Sequence, residues 1–205
     1  MNIQVFNHSS IKLSDLKNIY FDPYMLITEA RDADYIFITH DHYDHYDEDS
    51  IKKILKNTTY LIVPKLLEEQ AKTLTDKVIA VEPNKTYQLD GITFDTIPSY
   101  NQEKPFHPKE KEYVGYNVTV NNQKYYIMGD TDRTEESNEV KTDICFVPIG
   151  GTYTMNVEEA IEYINYIKPK KVIPIHYGSI VGDIKLGEEF KNQIDEGIEV
   201  EIQIK

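Results

Sequence analysis

Residues 40–45 read HDHYDH and hold three of the chain's six histidines together with two aspartates. Imidazole nitrogens and carboxylate oxygens are the side-chain atoms that bind divalent transition metals such as zinc. A solvated polar loop would instead be rich in glycine, asparagine and serine. The density and spacing of these side chains therefore predict a metal site.

The flanking sequence indicates how this segment is held. Residues 35–38 are apolar and rich in β-forming residues, which predicts a short buried strand. Residues 47–56 begin with acidic and hydroxyl residues and then repeat apolar residues on one face, which predicts a helix. The histidines would then lie in the loop after a strand, where α/β proteins usually bind ligands.

Two further polar clusters follow predicted strands. Residues 129–132, GDTD, follow a strand over 124–128, and residues 176–178, HYG, follow a strand over 171–175. If all three strands belonged to one sheet, their carboxyl ends would meet at one rim and bring the clusters together.

The remaining pattern predicts alternating strands and helices around one long loop. The loop covers residues 99–112, and a hairpin over 113–128 turns at 121–122. The other predicted strands cover residues 3–6, 11–13, 19–21, 60–63, 78–81, 92–97, 143–148 and 198–204, and the other helices cover 65–74, 156–167 and 188–194.

Composition narrows the functional class. The formal charge of −13 argues against a general nucleic-acid surface, which would be basic. The single cysteine, Cys145, lies in an apolar run and is expected to be a buried structural thiol. The sequence contains neither a recognisable signal peptide nor a stretch long enough to span a membrane, so we expect a cytoplasmic protein.

Taken in order along the chain, these motifs resemble those of metallo-β-lactamase-fold hydrolases, in particular the small lactonase-like and phosphodiesterase-like branch. The matching segments are FDP at 21–23, HDHYDH at 40–45, GDT at 129–131, PIGG at 148–151 and PIHYG at 174–178. The resemblance implies one domain over residues 1–205, folded as an α/β protein of the αββα four-layer sandwich type. It also implies a dinuclear metal site that holds two divalent ions, zinc in the first place and manganese or iron as alternatives.

The resemblance also implies a role for each matching residue. One ion would be bound by His40 and His42, the other by Asp44, His45 and His176, with Asp130 bridging the two. Asp44 and His176 would thereby act as catalytic residues. A hydroxide shared by the metals would be the nucleophile, because metal binding lowers the pKa of water to about 7.

The sequence departs from the family pattern at one position. Where the family supplies a third histidine to the first metal, this chain has Asn101, and His107 follows six residues later in the same loop. Either His107 or Asn101 could complete the site. If neither does, the first metal would be bound loosely.

Three further residues are candidates for contacts with the metal ligands or the substrate. His8 resembles a histidine that lies near the metals in this branch of the family, although it could also be a turn residue. Asp22 would orient the 40–45 loop through hydrogen bonds, or simply form a turn before Pro23. Tyr153 could offer its hydroxyl to the substrate from a glycine-rich turn.

The leading hypothesis is a metal-dependent hydrolase of a small-molecule ester, lactone or phosphodiester. An iron-dependent oxidoreductase on the same fold is an alternative, because the ligand set also suits iron. A non-catalytic metal-binding or ligand-sensing protein is a third, supported by the asparagine at position 101. We expect a small-molecule substrate and neither nucleic acid nor membrane as partner. The sequence does not predict the oligomeric state.

Overall fold

The computed structural model describes residues 1–204, which divide into two compact units, one from Met1 to Glu82 and one from Pro83 onward. Each unit contains one sheet, its own helices and its own hydrophobic core. The predicted α/β class is confirmed in both units. That one domain covers the whole chain stays a prediction.

The first unit is built on a six-stranded sheet in the order β1-β2-β3-β4-β5-β6. The first three strands pair antiparallel, and the pairs from β3 to β6 are parallel. The strands are β1 (Asn2–Asn7), β2 (Ser10–Ser14), β3 (Asn18–Phe21), β4 (Tyr35–Phe37), β5 (Tyr60–Pro64) and β6 (Val78–Val81). The helices are α1 (Glu48–Ile54) and α2 (Glu68–Ala71), the second preceded by a 3-10 turn (Lys65–Leu67).

The core of the first unit lies between its helices and one face of this sheet. Ile51 and Ile54 of α1 pack in the same buried cluster as Ile36 of β4 and Leu61 of β5. Asp47 caps α1 by accepting a hydrogen bond from the N–H of Asp49 at 3.1 Å, which fixes where the helix begins. The loop between β4 and α1 is therefore anchored at its helix end.

The second unit is built on a seven-stranded sheet in the order β13-β12-β11-β10-β9-β8-β7. Pairs from β7 to β10 are antiparallel, and pairs from β10 to β13 are parallel. The strands are β7 (Lys85–Leu89), β8 (Ile92–Pro98), β9 (Val114–Val120), β10 (Gln123–Ile127), β11 (Ile144–Pro148), β12 (Lys171–Ile175) and β13 (Glu199–Val200). The helices are α3 (Glu135–Asn138), α4 (Val157–Ile167) and α5 (Leu186–Lys191), with a 3-10 turn (Lys109–Lys111) before β9.

The core of the second unit packs α4 and α5 against its parallel strands. Ile164 of α4 and Phe190 of α5 lie in the same buried cluster as Val147 and Cys145 of β11. Burial raises the pKa of the Cys145 thiol well above its usual range, as expected for a structural cysteine. Within residues 1–204, no helix combines the length and hydrophobicity needed to cross a membrane.

Several sequence-based predictions need correction. Strand β7 and helix α3 were not predicted, and the strand predicted over 198–204 pairs only at Glu199–Val200. The three polar clusters do not follow strands of one sheet. The 40–45 segment follows β4 of the first sheet, whereas the clusters at 129–132 and 176–178 follow β10 and β12 of the second.

Candidate metal centre

Asp22 anchors the histidine-rich loop of the first unit. Its carboxylate is fully buried and accepts hydrogen bonds from the backbone N–H of Thr39 at 2.8 Å and the Thr39 hydroxyl at 2.7 Å. The same carboxylate lies 2.8 Å from Nδ1 of His45. Because a carboxylate can only accept, Nδ1 of His45 carries the proton, and its Nε2 keeps the lone pair that a metal needs.

The Thr39 hydroxyl orients the ring of His40 in the same way. Its hydroxyl proton is used in the bond to Asp22, so its oxygen accepts from Nδ1 of His40 at 2.9 Å. Nε2 of His40 then faces Nδ1 of His42 at 3.1 Å. Two imidazole nitrogens are thereby directed at each other across a short gap.

A second group of donors in this unit consists of His8, Asp44 and His45. One ligand atom from each lies within 4.8 Å of the others. Nε2 of His8 is 3.1 Å and Nε2 of His45 is 3.7 Å from Oδ2 of Asp44. All three side chains are buried. His8 has a positive φ of 56° and Asp22 one of 42°, a conformation that L-residues rarely adopt.

These separations fit a zinc ion. Two ligands of one tetrahedral zinc, each about 2.0–2.1 Å from the ion, lie about 3.3 Å apart. The facing pair His40–His42 at 3.1 Å and the pair His45–Asp44 at 3.7 Å fall on either side of that value. The donor atoms are neutral imidazole nitrogens and carboxylate oxygens, which zinc, manganese and iron all accept.

The second unit gathers its own donors around Asp130, in the loop after β10. Oδ2 of Asp130 lies 2.8 Å from Nε2 of His176 and 3.5 Å from Nε2 of His107. The loop is held because the Ser99 hydroxyl lies 3.1 Å from the carbonyl oxygens of both Met128 and Asp130. A carboxylate between two imidazoles is again a metal-binding combination.

Asn101 and His107, the two candidates for completing the first metal site, are hydrogen-bonded to each other in this unit. The Asn101 amide nitrogen donates to the carbonyl oxygen of Tyr153 at 2.9 Å, so the amide oxygen points the other way. That oxygen accepts from the N–H of His107 at 3.1 Å and lies 2.9 Å from its Nδ1. Asn101 therefore orients the His107 ring, whose Nε2 faces Asp130.

His176 follows β12 with a positive φ of 59° and is held by a close approach of Gly150. A Cβ atom added at Gly150 would clash with the carbonyl oxygen of His176 and lie 2.7 Å from a methyl of Val181. Glycine at position 150 is thus required for the backbone after β11 to pass beside His176. The sequence motif PIGG at 148–151 contains this glycine but does not by itself predict the close approach to His176.

The backbone carbonyl of Tyr153 accepts a hydrogen bond from the Asn101 amide, and the Tyr153 ring meets Phe106 edge-on, with ring centroids 4.6 Å apart.

Sequence reasoning overlooked Thr39, whose hydroxyl links Asp22 to His40. Its position at a strand end, directly before the first histidine, was the available signal.

Comparison with known proteins is consistent with this chemistry. Residues 2–176 match the sequence profile of the beta-lactamase superfamily domain. A UPF0173 protein of Pyrococcus abyssi is 32% identical over 86% of this chain and 82% of its own length. A UPF0173 metal-dependent hydrolase of Nanoarchaeum equitans is 28% identical over 87% of this chain and 85% of its own.

Solved structures share the fold. A Parabacteroides distasonis protein superposes with a TM-score of 0.85 at 28% identity, over 99% of this chain and 93% of its own. A metallo hydrolase from Ignicoccus hospitalis superposes with a TM-score of 0.77 at 19% identity, over 98% of this chain and 93% of its own, and this second match bears on the fold alone.

Proposed function

Because this chain belongs to the beta-lactamase superfamily and is a metal-dependent hydrolase, we propose that its substrate is a small-molecule ester, lactone or phosphodiester. The proposal is supported by three buried histidines, His40, His45 and His107. In each of them Nδ1 is hydrogen-bonded to a neighbouring side chain, which leaves Nε2 for a metal. Such outer partners orient metal ligands and raise their basicity.

We further propose that this chain binds two metal ions in a dinuclear centre, with the ligands that the family pattern implies. Zinc suits the mixed nitrogen and oxygen donors best, with manganese or iron as alternatives. Bound ions would activate water and polarise the scissile carbonyl or phosphoryl group. The proposed ligands are His40, His42 and His107 for one ion, Asp44, His45 and His176 for the other, and Asp130 for both.

Hydrogen bonds within the chain fix the tautomers of three histidines without a bound metal. Asp22 and Thr39 fix the proton-bearing nitrogens of His45 and His40, and Asn101 does the same for His107. Each of the three imidazoles therefore keeps Nε2 as a donor without a change of tautomer. This arrangement supports a functional metal centre and counts against a degenerate one.

A small substrate suits the charge of the chain. With a formal charge of −13, the protein would repel a polyanion such as nucleic acid. A small anion would still be attracted by bound divalent cations, which dominate the local field.

The first test is metal content per chain, by elemental analysis of protein purified without chelator. We expect about two equivalents of zinc, manganese or iron. The metal-loaded protein is then assayed with carboxylic esters, lactones and phosphodiesters. Failure to bind a second equivalent after zinc is added back would contradict the dinuclear centre, and inactivity on all three substrate classes would contradict the hydrolase proposal.

A matched pair of variants tests the assignment at position 107. Asn101→Ala removes the acceptor for Nδ1 of His107 and should weaken zinc binding about 10- to 100-fold. Asn101→Asp keeps an oxygen acceptor for His107 but loses the donor to the carbonyl oxygen of Tyr153, so it should retain part of the affinity that Asn101→Ala loses. Equal affinities for the two variants would mean that Asn101 does not act through His107.

A further inference from the structure

Tyr43 is 66% exposed although it lies inside the histidine-rich loop. The adjacent Asp44 is only 8% exposed, and His40 and His45 are almost completely buried. The loop thus buries His40, Asp44 and His45, leaves His42 half-buried, and exposes one large aromatic ring. A ligand that covered this ring would remove apolar surface from water, which favours binding.

The ring of Tyr43 is held in place by other rings. It meets Tyr24 edge-on, with ring centroids 6.1 Å apart and an interplanar angle of 73°. Tyr24 in turn meets His8, with centroids 6.5 Å apart at 62°. The backbone N–H of Tyr24 donates to the Ser10 hydroxyl at 3.3 Å, which fixes the base of this row. Edge-to-face contacts of this kind orient aromatic side chains.

His8, at the end of this row of rings, lies beside Asp44, a proposed metal ligand. Nε2 of His8 lies 3.1 Å from Oδ2 of Asp44. Tyr24 carries a phenol hydroxyl, which can donate a hydrogen bond to a ligand. The surface beside Asp44 therefore combines an apolar ring face with a neutral donor.

We propose that Tyr43 and Tyr24 form an aromatic platform that binds a flat apolar group of the substrate, so that the preferred substrates are aryl-bearing esters or phosphodiesters. This inference rests on the proposed hydrolase function and names its substrate class. Tyr43 supplies the ring face, and Tyr24 holds Tyr43 and supplies the donor. Both are specificity-determining residues rather than metal ligands.

The kinetic test compares two methyl esters of similar size, methyl phenylacetate and methyl cyclohexylacetate. Wild-type protein should prefer the phenyl compound in kcat/KM, and Tyr43→Ala should reduce the phenyl-to-cyclohexyl ratio about 3- to 10-fold, mainly through KM. Tyr43→Phe keeps the ring and should keep the ratio. Tyr166→Ala removes a tyrosine that is 54% exposed on α4 and serves as the matched control.

A binding test without turnover separates this inference from the hydrolase proposal. Phenylacetate and cyclohexylacetate are titrated calorimetrically into zinc-loaded wild type, Tyr43→Ala and Tyr166→Ala, after equal zinc content has been verified. A phenyl preference that is lost only in Tyr43→Ala supports the platform, even if no ester is hydrolysed. Absence of the preference in wild type, or its persistence in Tyr43→Ala, overturns the platform even if esters are hydrolysed.

Discussion

At the scale of single residues, the carboxylate of Asp22 determines how two histidines present their nitrogens. Thr39 donates to Asp22 and accepts from His40, while Asp22 also accepts from His45. The carboxylate therefore fixes His45 directly and His40 through Thr39. Loss of the Asp22 or the Thr39 side chain should therefore weaken metal binding, although neither residue is a proposed ligand.

Asp22→Ala should lower zinc affinity about 10- to 100-fold, because His45 and Thr39 lose their common acceptor. Thr39→Val keeps the shape of the side chain and removes only the hydroxyl, so it should give part of the same loss. Affinity is measured by competition with a chromophoric chelator, and Asp76→Ala, at an exposed aspartate, is the control. An Asp22→Ala protein that binds zinc like wild type would refute this role.

The sequence alone predicted most of the donor types at this scale but not the bonds between them. Residues 40–45 are recognisable because histidine is rare and its spacing is dense. The partnership of Asn101 with His107 was not predictable, because the loop between them has no periodicity and its path depends on tertiary contacts.

At the scale of elements, the two sheets begin their central parallel strands in the same way. Asp34 precedes β4 and accepts from the N–H of Asn18 at 2.8 Å and from Lys56 at 2.9 Å. Asp143 precedes β11 and accepts from the N–H of Lys124 at 2.9 Å, with Lys170 2.8 Å away. In each sheet, one carboxylate joins the start of a strand to its neighbour.

Both carboxylates should make stability sensitive to acid. Hydrogen bonds from Lys170 and the Lys124 N–H lower the pKa of Asp143 below its usual 3.8. Burial acts to raise the pKa of Asp34, but hydrogen bonds from the Asn18 N–H and Lys56 outweigh it and lower that pKa as well. A carboxyl group with a lowered folded-state pKa stabilises fully above about pH 4, and this contribution is lost as pH falls through the folded-state value.

Asp143→Asn and Asp34→Asn should therefore each flatten the loss of stability between about pH 4 and pH 2, relative to wild type. The measurement is the free energy of unfolding from urea titrations at a series of pH values. Asp76→Asn, at an exposed position, should leave the wild-type slope. Slopes that coincide for all four proteins would mean that these carboxylates are not held by the bonds described.

The turn after β11 gives a second prediction at this scale. Gly150→Ala should destabilise the protein by about 1–3 kcal/mol and weaken metal binding, because the new methyl group would displace the backbone of His176. Gly91→Ala is the control: its φ of 87° makes alanine strained, but nothing lies within 4 Å. Urea unfolding and chelator competition should show lower stability in both variants and lower zinc affinity only in Gly150→Ala.

Element prediction succeeded where burial is strong and failed at the two edges of the second sheet. The buried strands β4, β11 and β12 were predicted within one residue at each end, because their apolar runs are continuous. Strand β7 escaped prediction because its residues are mostly exposed and it is an edge strand. Ile204, four residues after the end of β13, still packs against the core although it makes no β-pairing.

At the scale of the whole molecule, charge and metal content are coupled. The chain has 35 acidic and 22 basic residues. Two divalent cations would offset about four of the 13 excess negative charges and relieve part of the self-repulsion. A ligand that binds only the folded protein also stabilises it by mass action, by about 2.7 kcal/mol at 100 times its Kd.

Saturating zinc should therefore raise the melting temperature by about 5–10 °C, and EDTA should reverse the rise. The measurement is calorimetry of zinc-loaded and EDTA-treated protein at fixed ionic strength. The double variant His40→Ala/His42→Ala should show a smaller rise. A melting temperature that does not depend on zinc would contradict binding to the folded state.

The left-handed backbone at His8, Asp22 and His176 has a consequence beyond the structure itself. Each such non-glycine residue costs about 1–3 kcal/mol, which glycine would avoid at these positions. Selection for heat resistance alone would therefore favour glycine or asparagine at these three sites and erode metal binding as a by-product. A glycine variant at any of the three positions should therefore gain stability while it loses a side chain that lies in the candidate metal centre.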